Sequence, residues 1–124
     1  PDAIQQAFQA QADAEGDGWR LTGGERQLDL WGLKEGSARD FVRSNLCDFS
    51  LNCFKQPVKL TTNAAATLDR TYIACTADDY PARAVFRQFA ERAQSENWRY
   101  HELPTGHDCH VEMPEEFCRL LAMP

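Results

Sequence analysis

No stretch of the 124 residues approaches the roughly 20 consecutive apolar residues that a membrane-spanning helix needs. The chain also lacks a basic start followed by an apolar run, so no signal peptide is expected. It opens on Pro1 instead of Met, as after excision of an initiator Met or as a piece of something longer. Positive charge is scarce: 13 Lys and Arg stand against 19 Asp and Glu, a net charge of -6. Such a surface matches neither a phosphate backbone nor an anionic bilayer, so neither nucleic acid nor membrane is expected as a partner. There is no C-x-x-C pair, and the five cysteines (Cys47, Cys53, Cys75, Cys109 and Cys118) are odd in number and irregularly spaced. A secreted disulfide scaffold favours an even, tighter set. A cytoplasmic protein with free, largely buried thiols is the simpler expectation. Internal repeats, low-complexity tracts and long Pro/Gly linkers are missing too. What remains is 43% hydrophobic and 26% charged, enough for one ordinary domain with a core.

Within that length the texture changes. Asp2 can cap a helix whose face carries Ile4, Ala7 and Phe8, and Gly16-Asp17-Gly18 turns the chain into Trp19-Arg20-Leu21. Gly23-Gly24 makes a second break, and Glu35 to Asn45 reads as a short helix with Phe41, Val42 and Leu46 as its apolar positions. The stretch from Leu46 to Val58 fits neither a clean strand nor a clean helix. From Asp69 onward the pattern is regular. Arg70 to Thr76 is a β-rich run with little charge, as in a strand covered on both faces. Pro81 suits a first helical turn, after which Ala82, Val85, Phe86, Phe89, Ala90 and Ala93 recur at helical spacing. Trp98 to Leu103 alternates as a second strand. A last helix is expected from about Pro114, with Glu115 and Glu116 in its first turn and Phe117, Leu120 and Leu121 buried. This β-α-β-α order predicts an α/β fold with parallel strands packed by helices.

In parallel sheets ligands gather at the carboxyl ends of the strands. Asp78 lies just past the first strand and His107 just past the second, so both are expected on one rim. A carboxylate and an imidazole there are two thirds of a nucleophilic triad, in which the histidine moves the proton and the aspartate fixes its tautomer. Gly106 ahead of His107 permits a sharp turn. The plainer alternative is that Asp78 simply ends a strand and His107 sits in a loop. Asp79, its neighbour, is a second candidate for the acid.

Thr71-Tyr72-Ile73-Ala74-Cys75-Thr76-Ala77-Asp78, followed by Gly106-His107-Asp108 and Pro114-Glu115-Glu116, resembles the C-terminal part of an α/β-hydrolase. The branch it resembles is that of plant methylesterases and hydroxynitrile lyases with their bacterial esterase relatives. There a Tyr-Ile-x-Cys-Thr-x-Asp strand end supplies the triad acid, which falls on Asp78, and a Gly-His turn supplies the base, which falls on His107. Gly18-Trp19-Arg20 and the run from Leu46 through Phe54-Lys55-Gln56-Pro57-Val58 resemble that family's cap segment. The resemblance thus implies a cap over residues 1–62 and a C-terminal β-α-β-α part of the hydrolase core over residues 63–124.

It also implies a carboxylic-ester hydrolase acting through a Ser-His-Asp triad on a small-molecule ester, with no cofactor and no metal. The nucleophile is missing from this sequence. The serines are Ser37, Ser44, Ser50 and Ser95, and none sits in a G-x-S-x-G elbow. The implied partner is therefore the N-terminal portion of the hydrolase, carrying that serine and the oxyanion donors; a homodimer is compatible as well. The lyases resemble Gly-x-x-His-Lys, with a lysine after the base to hold departing cyanide. Asp108 stands at that position and favours ester hydrolysis. A lyase on the same fold and a non-catalytic interaction module are the alternatives.

Other patterns compete for the same residues. His107, Cys109 and His110, with Cys75 near, have no zinc spacing. Cys109 and Cys118 read more simply as small buried hydrophobes. Trp19, Trp31, Phe41, Phe49 and Phe54 either line an apolar pocket under the cap or form the cap's own core.

Overall fold

The computed structural model describes residues 2–123, except the side chains of Asp2, Ala64 and Ala65. The expected Asp2 cap therefore lies outside the described residues. Helix α1 (Asp2–Glu15) buries Ala12 and half-buries Phe8, one turn apart, whereas Ile4 and Ala7 face solvent. The apolar stripe is thus shifted toward the helix end from the face that Ile4, Ala7 and Phe8 predict. Asp17 and Gly18 both adopt left-handed backbone (φ 53° and 79°) and turn the chain into strand β1 (Arg20–Leu21).

A helix that the sequence reading did not assign follows, α2 (Glu25–Trp31), with Leu28 fully buried. It stops in a Schellman arrangement. Gly32 at φ 78° donates its N–H to the Asp29 carbonyl at 3.0 Å, and Leu33 donates to Leu28 at 3.0 Å.

Helix α3 (Ser37–Asn45) starts two residues later than expected; of its expected apolar positions Val42 and, at its C-terminal cap, Leu46 are half-buried, but Phe41 is not. Phe41 is 61% exposed, while Arg39 is only 5% exposed. A cation is tolerated there because both terminal guanidinium nitrogens are hydrogen-bonded and carboxylates surround it, although Nε has no hydrogen-bond partner. The guanidinium donates to the Leu33 carbonyl at 2.6 Å, to Glu25 at 2.8 Å and to Asp29 at 2.7 Å, clamping α2 to α3. Hydrogen bonds from Arg43 and Arg39 hold the Glu25 carboxyl down to about 2.

The unassigned stretch resolves into strand β2 (Phe49–Ser50), antiparallel to β1, and a single turn, α4 (Asn52–Lys55). Leu51 between them donates its N–H to Trp19 at 2.8 Å and packs with Ala12 and Leu21 into one small cluster. Phe8, Phe54 and Phe49 pack in sequence beside it, tilted and then edge-on, with centroids 4.6 and 5.5 Å apart.

After a 3-10 turn at Ala64–Thr67 the α/β pattern is as expected. Strand β3 (Thr71–Cys75), helix α5 (Arg83–Ser95) and strand β4 (Arg99–Leu103) form a parallel crossover unit, with Thr71 opposite Arg99 and Cys75 opposite Leu103. Helices α6 (Cys109–Glu112) and α7 (Pro114–Leu121) complete it. A two-stranded sheet is marginal alone, and each face of this one is covered by a helix. Tyr72 stacks on Tyr100 and donates its hydroxyl to the Phe86 carbonyl of α5. On the other face Ile73, Cys75 and Leu103 pack with Cys109, Phe117 and Leu120.

The coverage is incomplete. Val85, Phe89 and Leu121, expected to be buried, are exposed. β3 also has β4 as its only strand neighbour, so its second edge carries no strand among the described residues.

Candidate active site

Because β3 and β4 run parallel, the segments that leave them emerge at one rim. Backbone bonds tie them together there: Thr76 donates to Leu103 at 2.8 Å and Ala77 to Thr105 at 3.2 Å. Asp78 and Asp79 follow on one segment and His107 on the other. The rim position expected of Asp78 and His107 is therefore observed, but their hydrogen bond is not. Among the described residues no hydrogen bond joins Asp78 to His107. The Asp78 side chain is fully exposed and accepts from Arg83, at the start of α5, at 3.2 Å. Asp79 pairs with Lys34, which lowers its carboxyl pKa.

The imidazole has a different partner. His107 Nδ1 lies 3.1 Å from the Tyr80 hydroxyl. Tyr80 is 4% exposed, and burial raises its hydroxyl far above the ordinary value, so it stays protonated. The contact admits both histidine tautomers. Tyr80 can donate to Nδ1, which leaves the proton on Nε2, or its oxygen can accept from Nδ1–H, which frees Nε2 as a base. The ring also lies 5.2 Å from Phe86 and 5.7 Å from Trp31, between centroids. Of the five aromatics expected in the first half, Trp31 alone is seen against His107. Phe49 and Phe54 pack with each other beside Phe8, and Trp19 and Phe41 are exposed.

What sets the His107 turn is a backbone contact that no sequence pattern signals. The His107 N–H donates to the Trp31 carbonyl at 2.7 Å, so the end of α2 holds the His107 loop. Gly106 is buried under the same carbonyls. A Cβ there would stand 3.0 Å from the Gly32 oxygen and closer still to that of Trp31. Glycine is required by this close approach, not by the sharp turn that the sequence suggests.

Beside the rim, successive residues of β3, from Tyr72 to Thr76, line a groove of ≈ 480 Å³ together with Tyr100 and Glu102 of β4 and one side of α5. Phe86 of α5, Phe117 of α7 and His107 also line it. Among the described residues no group of three or more His, Cys, Asp or Glu side chains is placed to hold a metal ion.

Asp108, next to the imidazole, is 8% exposed, and its Oδ2 has no hydrogen-bond partner; Glu112 Oε2 is alike. Burial raises the Asp108 carboxyl above its usual value, against the opposing pull of His107 and His110. A carboxyl raised in this way costs stability as pH climbs through its folded value and costs nothing below its unfolded one. Asp108→Asn is therefore expected to stabilise the fold by about 1 kcal/mol at pH 7.5 and to be neutral near pH 3. Urea midpoints at the two pH values check this, and equal shifts at both would contradict it.

No family model, curated protein or solved structure matches the chain.

Proposed function

We propose that this chain is the C-terminal part of an α/β-hydrolase that cleaves carboxylic esters. His107 acts as general base and then general acid, and Asp78 is its orienting acid. Residues 1–62 form the cap, and the nucleophilic serine and oxyanion donors come from the N-terminal portion of the hydrolase. The observation that carries this reading is the parallel β3–β4 unit, with His107 and Asp78 leaving its carboxyl end beside an open strand edge. An open strand edge suits the addition of further parallel strands, and such a strand would bring its own carboxyl-end loop to the same rim.

The chemistry then runs as an acyl transfer. The serine hydroxyl gives its proton to His107 Nε2 as it attacks the ester carbonyl, and His107 returns that proton to the leaving alkoxide. Water repeats the cycle on the acyl-enzyme. For this His107 must donate Nδ1–H to Asp78, so assembly exchanges the Tyr80 contact at Nδ1 and the Arg83 contact at Asp78 for one bond between the two.

Asp108 after the base supports ester hydrolysis over cyanohydrin cleavage, because an acid at that position disfavours a departing anion. Turnover of short aryl esters by the assembled protein, without cyanide release from an aromatic cyanohydrin, is the expected result. Cyanide release would move the assignment to a lyase. Binding without turnover of either would leave an interaction module.

A further inference from the structure

Two of the five cysteines meet behind the His107 turn. Cys75 is the last residue of β3 and half-buried; Cys109 is the first residue of α6 and 7% exposed. Both pack into the cluster built on Leu103 and Leu120, and Cys75 stands near enough to Cys109 to push its thiol pKa up. Cys75 Sγ also lies 3.8 Å from the His107 carbonyl oxygen. Both side chains line the groove along β3, so a small reagent entering it meets them together. Cys47, Cys53 and Cys118 are exposed and stand elsewhere, before β2, on α4 and on α7.

We propose that Cys75 and Cys109 are a modification site: a dithiol that closes to a disulfide by exchange with a small-molecule disulfide such as oxidised glutathione. The Cys75 thiolate attacks one sulfur of the glutathione disulfide, forming a mixed disulfide and releasing one glutathione thiolate. Cys109 gives its proton to that thiolate and attacks Cys75 Sγ, releasing the second glutathione. Two protein thiols are oxidised, and one disulfide is reduced to two thiols. Cys75 attacks first because burial, reinforced by Cys75 itself, holds the Cys109 thiol up to about 12 and leaves it little thiolate. The bond would tie the end of β3 to the start of α6, across the turn that carries His107. It would thereby restrict the rim motion that pairing of His107 with Asp78 needs.

Peptide mapping after equilibration with oxidised glutathione tests this. Cys118→Ser is the background, since trypsin leaves Cys109 and Cys118 on one peptide. The expected product joins peptide 71–83 to peptide 100–119, with a loss of about 2 Da against the summed thiols. In that background Cys109→Ala is expected to stop at a glutathione adduct on Cys75, and Cys75→Ala to leave Cys109 unmodified. In 8 M urea the preference for this pair should vanish. The proposal is overturned if Cys75 and Cys109 stay alkylatable while the exposed cysteines are glutathionylated. It is equally overturned if the native protein links either of them to Cys47 or Cys53 instead.

Discussion

If the proposed assembly is a hydrolase, His107→Ala made in it is expected to lower kcat for short aryl esters by about 10⁴-fold or more, with KM changed by less than about threefold. The size follows from the role. Without the imidazole the serine hydroxyl has no acceptor for its proton, and only binding and the oxyanion donors remain. KM is spared because no substrate-binding contact is assigned to His107; Trp31 and Phe86 pack against its ring from within the chain. The same assay separates the two rim acids. Asp78→Asn should cost a factor of the same order by stabilising the wrong tautomer, whereas Asp79→Asn loses only the surface pair with Lys34 and should stay within about twofold. Equal losses at both positions would remove Asp78 from the triad, and full activity in His107→Ala would remove the triad itself.

The second large effect concerns stability. Gly106→Ala is expected to cost about 3 kcal/mol, the upper end of overpacking, and to lower Tm by roughly 10 °C. The added methyl meets the Trp31 and Gly32 backbone, which is rigid because Gly32 closes α2 in a Schellman turn and sits against Tyr80. Relief requires the loop to retreat, and that lengthens the 2.7 Å bond from His107 N–H to the Trp31 carbonyl. Gly24→Ala is the control. Its backbone is extended, and a Cβ there meets nothing within 4 Å, so a shift within about 0.5 kcal/mol is expected. Thermal unfolding followed by circular dichroism reads both variants. Equal, small shifts would mean that the α2 contact does not hold the rim.

The elements that were legible in the sequence are those whose apolar spacing is long enough to define a period. The α5 pattern from Ala82 to Ala93 and the β3 and β4 runs mark their elements to within two residues. The shorter pieces escaped. Helices α2 and α6 span seven and four residues, too few for an amphipathic period. α2 nonetheless carries a local signal in Gly32 at its end and Glu25 in its first turn. Burial was misread where tertiary pairing overrides composition: Arg39 is inside because three carboxylates and a carbonyl surround it, and Phe41 on the same helix is left outside.

At the site, strand order alone was enough to bring Asp78 and His107 to one rim, since that depends only on parallel pairing. The partners of each side chain were not legible. They depend on where α5 begins, which hands Arg83 to Asp78, and on the buried Tyr80 hydroxyl beside Nδ1. Tyr80 carried one clue, lying two residues past Asp78 and directly before Pro81, but nothing in its spacing pointed to the imidazole.

The central claim is that His107 and Asp78 serve a serine supplied from outside these 124 residues. The direct measurement is fluorophosphonate labelling of the protein as isolated from its own cells, read by native and denaturing mass spectrometry. The account predicts one labelled serine, in a glycine-flanked elbow, on a segment covalently continuous with this chain or bound to it in a one-to-one complex, with labelling lost in His107→Ala. A protein whose polypeptide and stoichiometric partners carry no reactive serine would contradict it.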